Sequence, residues 1–270
     1  MRPAGRAQDI CLRTNRAVNL PSDEARFPKV SRKQAARWVT ANMVALWGGL
    51  GLGQKSVGPA LAEAAWNYDE YADTYDALDN GQVANALGFP KLRQKIVGRA
   101  KGNVLEVGVG TGLNLEYYRF EELTSLTATD LSQGMLHQAQ AKSEALGYPD
   151  ALVSFEQANV EDLPFADGTF DCVVDTFSLC VFRDPLLALK NMYRVLKPDG
   201  RLLLVEHSRS REYPPLAWYQ DLTAGTVASM GKGCVWNQDV PQLLADAGFY
   251  IIDMKSNVVG LILSLEAVKQ

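Results

Sequence analysis

In the stretch VLEVGVGTGLNLEYY, residues 104–118, an apolar run meets the carboxylate of Glu106, and three glycines follow at alternate positions, Gly108, Gly110 and Gly112. Glycine lets a backbone turn through left-handed conformations and lets a neighbour approach without a Cβ in the way, so something lies close to this turn. A phosphate, a nucleoside or a packed helix are the three possibilities. The dinucleotide fingerprint spaces its glycines G-x-G-x-x-G, whereas this turn is G-x-G-x-G, and no Gly-Lys-Ser/Thr closes a Walker phosphate loop. A second carboxylate, Asp130, ends the next apolar run, SLTATD, twenty-four residues after Glu106. An ionised acid there can accept from both hydroxyls of a ribose. The pair therefore predicts a nucleoside pocket rather than a phosphate cradle, with close helix-to-strand packing as the structural alternative.

Other residues able to do chemistry are few. His207 ends the run RLLLVEH, where an imidazole suits either a general base or a hydrogen-bonding cap of a strand end. The other histidine, His137, falls in a helix-like segment. Cys180 ends the run before, and is read as a pocket wall in preference to a nucleophile, since no neighbour in sequence would lower its pKa. The four cysteines, Cys11, Cys172, Cys180 and Cys234, contain no CxxC pair, so the spacing carries no zinc site or disulfide framework, and no metal is expected. Tyr68, Tyr71 and Tyr75 fall on one helical face before the first strand, either as a lid over the ligand or as a helix packed on the core. Trp218, Tyr219 and Trp236, between the fifth strand and the last helix, suit an apolar acceptor or a membrane face.

The elements that must position these residues alternate. NVLEVGV, SLTATD, LVSFEQAN, FDCVVDTF and GRLLLVEH read as strands, separated by the helix-like NLEYYRFEEL, QGMLHQAQAKSEAL and PLLALKNMYRVL, with KPDG (residues 197–200) as a turn. QDVPQLLADAGF then reads as a helix ended by Gly248, and YIIDMKS and GLILSLEAV as two further strands. The strands are continuous apolar runs, as required when helices cover both faces of a parallel sheet. The fold class is α/β, a Rossmann-like seven-stranded, mostly parallel sheet over residues 63–270.

Charge divides the chain before this domain. Residues 1–37 carry nine basic residues against three acids, a balance of +6, which leaves −10 for the rest of a chain whose net charge is −4. The acidic remainder is a poor match to nucleic acid, whose phosphates need clustered Lys and Arg. The Arg-rich, acid-poor head has the composition of an organellar targeting segment. Residues 38–62 follow, with seventeen uncharged residues from Trp38 to Gln54 and an Ala-Leu-Ala at 60–62. A membrane span takes roughly 20 apolar residues, so this run stands between an export signal, a short membrane anchor and an amphipathic helix.

Four segments in register, VLEVGVGTG, TATDLSQGML, ANVEDLPFADGTFD and RVLKPDGRLLLVEH, resemble the S-adenosylmethionine-dependent class I methyltransferases, in the group that includes the quinone-biosynthesis C-methyltransferases. FSLCVFRDP, VEHSRS and GKGCVW further resemble the membrane-associated thiol-methyltransferase-like proteins and their organellar relatives. The resemblance implies S-adenosyl-L-methionine as cofactor, with Glu106, Gly108, Gly110, Thr111, Gly112, Asp130, Leu131, Met135, Asn159 and Val160 around it. Within that set Glu106 would face the methionine ammonium through the turn, Asp130 would hold the ribose, and Met135 would cover the adenine. Asn159 stands where many members have Asp, and its side-chain oxygen still accepts from the adenine amine. Tyr68, Tyr71, Cys180 and Trp218 would line the acceptor pocket, and His207 would be the base. The implied reaction is methyl transfer to a small lipophilic quinol, phenol or thiol near an organelle membrane, in a plastid in preference to a mitochondrion. The alternative is a methyltransferase fold kept as an assembly subunit.

Overall fold

The structure, a computed structural model, describes residues 68, 69, 72, 82–230 and 232–270. Tyr71, Tyr75 and the expected targeting and anchor segments, 1–37 and 38–62, lie outside these residues.

Seven strands form one sheet: β1 Gly102–Val107, β2 Leu123–Asp130, β3 Val153–Gln157, β4 Phe170–Thr176, β5 Leu196–His207, β6 Phe249–Asn257 and β7 Ile262–Lys269. Their order is β3-β2-β1-β4-β5-β7-β6, parallel from β3 through β5, with β7 antiparallel to both β5 and β6. Helices α1 (Gln82–Leu87) and α2 (Phe89–Val97) precede the sheet, α3 (Gln133–Ala145) links β2 to β3, and α4 (Pro185–Val195) links β4 to β5. Helices α5 (Pro214–Met230) and α6 (Val240–Asp246) lie between β5 and β6.

Alternation along buried strands sends Leu105, Val107, Val173, Leu202 and Leu204 into one core cluster with α4 and α6, and Val104, Val174, Leu203 and Val205 into another with α1 and α2. Covering both faces explains why the runs are apolar throughout. The edge strands β3 and β6 expose residues on one side, as their mixed burial shows. Helices α3 and α4 begin with side-chain caps, Ser132 accepting from the Met135 N–H and Asp184 from the Leu187 N–H.

Three expectations change. NLEYYRFEEL forms two 3-10 turns, Leu115–Tyr117 and Phe120–Glu122, instead of an α-helix. The Leu115 carbonyl takes the Tyr148 hydroxyl, and the Asn114 and Tyr118 side chains turn inward to Glu106, so the segment's bonds go sideways into the core rather than along a helix. KPDG is a bulge inside β5: Phe170 pairs with Leu196 but Cys172 with Arg201, so four residues swell out of the ladder. The seventeen-residue α5, where no helix was read, starts at a Pro-Pro pair preorganised for a first helical turn.

Candidate functional site

The turn after β1 separates the three glycines by what each must avoid. All three have left-handed φ angles, +60°, +55° and +79°. A Cβ on Gly108 would lie 2.6 Å from the Ser178 side chain, and one on Gly112 would lie 2.7 Å from Leu115 and 3.1 Å from the Ala139 backbone. Gly110 has nothing within 4 Å. Two glycines are thus demanded by the protein's own packing, and only the third faces open space. Gly110→Ala is expected to cost about 1–2 kcal/mol of fold stability through the left-handed backbone, yet to weaken S-adenosylmethionine binding at least tenfold, because its methyl fills that space. Calorimetric titration checks this; an unchanged Kd would place the ligand elsewhere.

Asp130 fixes the turn. Its Oδ2 accepts the Gly110 N–H at 2.9 Å and its Oδ1 the Ser132 N–H at 2.9 Å, while Val109 donates to the Thr129 carbonyl. Burial pushes its carboxyl above the usual range, against the backbone bonds from Ser132, Gly110 and Leu131. These bonds leave the two oxygens lone pairs for a ligand. Leu131 beside it is 43% exposed. Asp69, from the segment before α1, accepts from the Ser132 hydroxyl at 2.5 Å and the Gly134 N–H at 2.7 Å, which hold its carboxyl below the usual range. Tyr68 next to it donates to the Lys232 carbonyl at 2.8 Å. That bond joins Tyr68 to the loop after α5.

Other expected cofactor residues are placed less directly. Glu106 is 1% exposed, and its carboxylate accepts from Asn114 Nδ2 at 2.8 Å and from the Tyr118 hydroxyl at 2.7 Å. It braces the turn from beneath. Thr111 and Met135 are buried, Met135 in the first turn of α3, and Val160, in a 3-10 turn, packs into the core around α4. Asn159 is exposed, with Oδ1 capping the Glu161 N–H at 3.0 Å. Gln157 and Leu131 are tied across the gap by a bond to the Leu131 carbonyl.

Below Glu106 lies a network that the sequence did not announce. Arg93 of α2 is buried, donates to Asn114 Oδ1 at 3.1 Å and Thr176 Oγ1 at 2.5 Å, and stands 4.9 Å over the Phe177 ring. Burial pushes the Glu106 carboxyl up to about 7, against the bonds from Tyr118 and Asn114 and the charge of Arg93. The sign of the pH effect follows from that rise. Below the ordinary value of 4.5 the group is protonated whether the chain is folded or not. Between there and about 7 only the folded chain keeps the proton, so stability falls with rising pH through this window and the full penalty, on the order of 3 kcal/mol, stands above it. Glu106→Gln is expected to flatten the melting temperature against pH between these limits; a slope equal to the wild type's would show that another group titrates there.

At the ends of β4 and β5 lies a second wall. Phe177 has φ +60°, rare and costly for a bulky residue, and its N–H is held by the Val205 carbonyl at 2.8 Å. It stacks on Phe89 with centroids 4.5 Å apart and tilts against His207 at 5.2 Å. Glu206, buried, takes the N–H groups of Ser178 and Leu179 and faces Asp175; burial first, and then the charge of Asp175, raise its carboxyl well above the usual range. His207 Nδ1 lies 4.0 Å from Cys180 Sγ and 3.9 Å from Cys234 Sγ. Cys234 was not singled out in the sequence, and the loop carrying it is joined to Cys180 by the Val235 N–H at 2.8 Å. Trp218 departs from expectation: it is 63% exposed on α5, while Tyr219 turns inward against Trp236. The buried stripe of α5 runs through Leu216, Ala217, Tyr219 and Gln220, and Trp218 falls on the opposite side of the helix.

The strand order is that of a class I methyltransferase, and the glycine turn with the carboxylate at the end of β2 fits the nucleoside end of S-adenosylmethionine. Residues 105–204 match the family described as "Methyltransferase domain". The chain is 32% identical over 178 residues to the ubiquinone/menaquinone biosynthesis C-methyltransferase UbiE of Klebsiella pneumoniae, covering 59% of this chain and 70% of that protein. It is 29% identical over 207 residues to the mitochondrial methyltransferase OMS1 of Saccharomyces cerevisiae, covering 72% of this chain but 43% of the yeast protein, so the chain spans less than half of that relative. An S-adenosylmethionine-dependent methyltransferase from Aquifex aeolicus shares the fold, with a TM-score of 0.54 at 21% identity over 75% of this chain and 98% of that one. The chain belongs to the S-adenosylmethionine-dependent class I methyltransferases, in the UbiE-like group.

Proposed function

We propose that this protein transfers a methyl group from S-adenosylmethionine to a small apolar acceptor bearing a quinol, phenol or thiol. The observation that carries the reading is the pairing of two walls at the carboxyl ends of the strands: an open turn at Gly110 and Asp130, and an aromatic and sulfur-bearing wall of Phe89, Phe177, Cys180 and His207. When bound, S-adenosylmethionine supplies a methyl on a positively charged sulfur, already activated for displacement. The protein's part is to align and to exclude water, which in well-oriented systems is worth up to about 7–11 kcal/mol. Asp130 and the glycine turn orient the donor side. Phe89 and Phe177 offer apolar surface to the acceptor, and the cluster at His207 is placed to help an O–H or S–H acceptor lose its proton.

Quinol chemistry draws support from the name of the UbiE relative, and thiol chemistry from the resemblance of the FSLCVFRDP, VEHSRS and GKGCVW segments. An organellar destination is supported by the Arg-rich residues 1–37 and by the mitochondrial address in the yeast relative's name, which weighs toward mitochondrion over plastid. Residues 38–62 are proposed to hold the domain at a membrane; among the described residues no helix is long and apolar enough to cross one.

The test is transfer of labelled methyl to a panel of quinols, phenols, alkyl thiols and lipid amines, with the methylated atom located by mass spectrometry. His207→Ala is expected to lower turnover at least tenfold with the Kd for S-adenosylmethionine unchanged. Turnover on amines alone would overturn the acceptor class, and binding without turnover on any acceptor would favour an assembly subunit.

A further inference from the structure

Cys180, His207 and Cys234 follow one another at intervals of twenty-seven residues and come from three places: the 3-10 turn after β4, the end of β5, and the loop after α5. Their Sγ, Nδ1 and Sγ atoms all lie within 4.8 Å of one another. A tetrahedral zinc ion with bonds of about 2.3 Å to sulfur and about 2.0 Å to nitrogen sets its ligand atoms about 3.5–3.8 Å apart. The two sulfur–nitrogen separations, 4.0 and 3.9 Å, need to close by a few tenths of an ångström, and the two sulfurs, within 4.8 Å, by about 1 Å at most. Backbone holds the approach: Val235 donates to the Cys180 carbonyl, and Gly233, in the left-handed region at φ +92°, donates to the Ala228 carbonyl at the end of α5.

We infer that Cys180, His207 and Cys234 bind a borderline-soft divalent ion of the zinc class, with its fourth position open to an exogenous thiol or phenol. Two thiols and an imidazole are a donor set that selects zinc-like ions over magnesium or calcium, which take oxygen. Binding releases two thiol protons to solvent, and two thiolates with a neutral imidazole balance a dication, so a half-buried site gains no net charge. Three protein ligands with one open position is the arrangement of catalytic rather than structural zinc. A thiol entering that position loses its proton to solvent and is held as a thiolate. This last step rests on the methyl-transfer reading above; the ion site does not.

The experiment uses the full-length protein, reduced and desalted, titrated with cobalt(II) as a spectroscopic stand-in for zinc. One ion per chain with a sulfur-to-cobalt charge-transfer band is expected, unchanged in Cys11→Ser and weakened at least tenfold in affinity in Cys234→Ser. Adding an alkyl thiol is expected to shift the cobalt ligand-field bands. Should Cys234→Ser fail to fold, zinc must slow alkylation of Cys234 in the wild type while leaving Cys11 unaffected. No charge-transfer band in the reduced wild type, or an equal one in folded Cys234→Ser, would overturn the site. A bound ion whose spectrum ignores added thiol would overturn the open position. S-adenosylmethionine titration in parallel separates the two proposals: failure to bind it counts against the methyl-transfer reading and leaves the ion site standing or falling on cobalt alone.

Discussion

Asp130→Ala is expected to weaken S-adenosylmethionine binding at least about 100-fold while leaving the chain folded. The carboxylate accepts two backbone N–H groups, from Gly110 and Ser132, and those bonds set the distance between the glycine turn and the start of α3. Its remaining lone pairs are the acceptors this prediction assigns to the ribose. Hydrogen bonds to a charged group contribute about 1.5–3 kcal/mol each, so losing two ribose bonds costs about 3–6 kcal/mol, before any loosening of the turn. Asp130→Asn keeps an oxygen acceptor but loses the charge, and is expected to fall between the two. Isothermal titration on both variants, with circular dichroism to confirm folding, gives the answer; Asp130→Ala binding within threefold of wild type would remove this carboxylate from the cofactor site.

Arg93→Ala is expected to lower the melting temperature by about 10 °C. The guanidinium is buried, satisfies Asn114 and Thr176, and its charge favours the ionised forms of Glu106 and Asp175. Removing one member of a buried charged network costs about 3–5 kcal/mol, because the partners stay buried without it, and in a domain of this size each kcal/mol shifts the midpoint by about 2–4 °C. Because Asn114 also holds Glu106, the damage reaches the floor of the cofactor turn. Arg93→Lys restores charge without the fork and is expected to recover part of the loss. Scanning calorimetry that finds Arg93→Ala within 2 °C of wild type would mean that the network contributes little.

The sheet, the glycine turn and the carboxylate at the end of β2 were legible in the sequence. Continuous apolar runs such as LLLV in β5 are legible because a strand covered on both faces must be apolar at every position. The glycines and Asp130 are legible because left-handed backbone and a charge at a strand end are local demands, met by residue type within a few positions. Even locally the reading failed where side chains competed with the helix: at Leu115, whose carbonyl Tyr148 takes from a distance of thirty-three residues.

Which glycine faces open space was not legible, since Gly108 is crowded by Ser178 and Gly112 by Leu115 and Ala139, and Ser178 and Ala139 lie far along the chain. The fold alone turned Glu106 into a buried brace with a raised pKa and left Trp218 exposed on α5. Above all it brought Cys180, His207 and Cys234 together, where their spacing had argued against a metal. Metal signatures in sequence depend on ligands close in the chain, such as two cysteines in one turn. Here the sheet order places the ends of β4 and β5 side by side and the loop after α5 folds back to Cys180, so the proximity is a property of strand pairing and not of spacing.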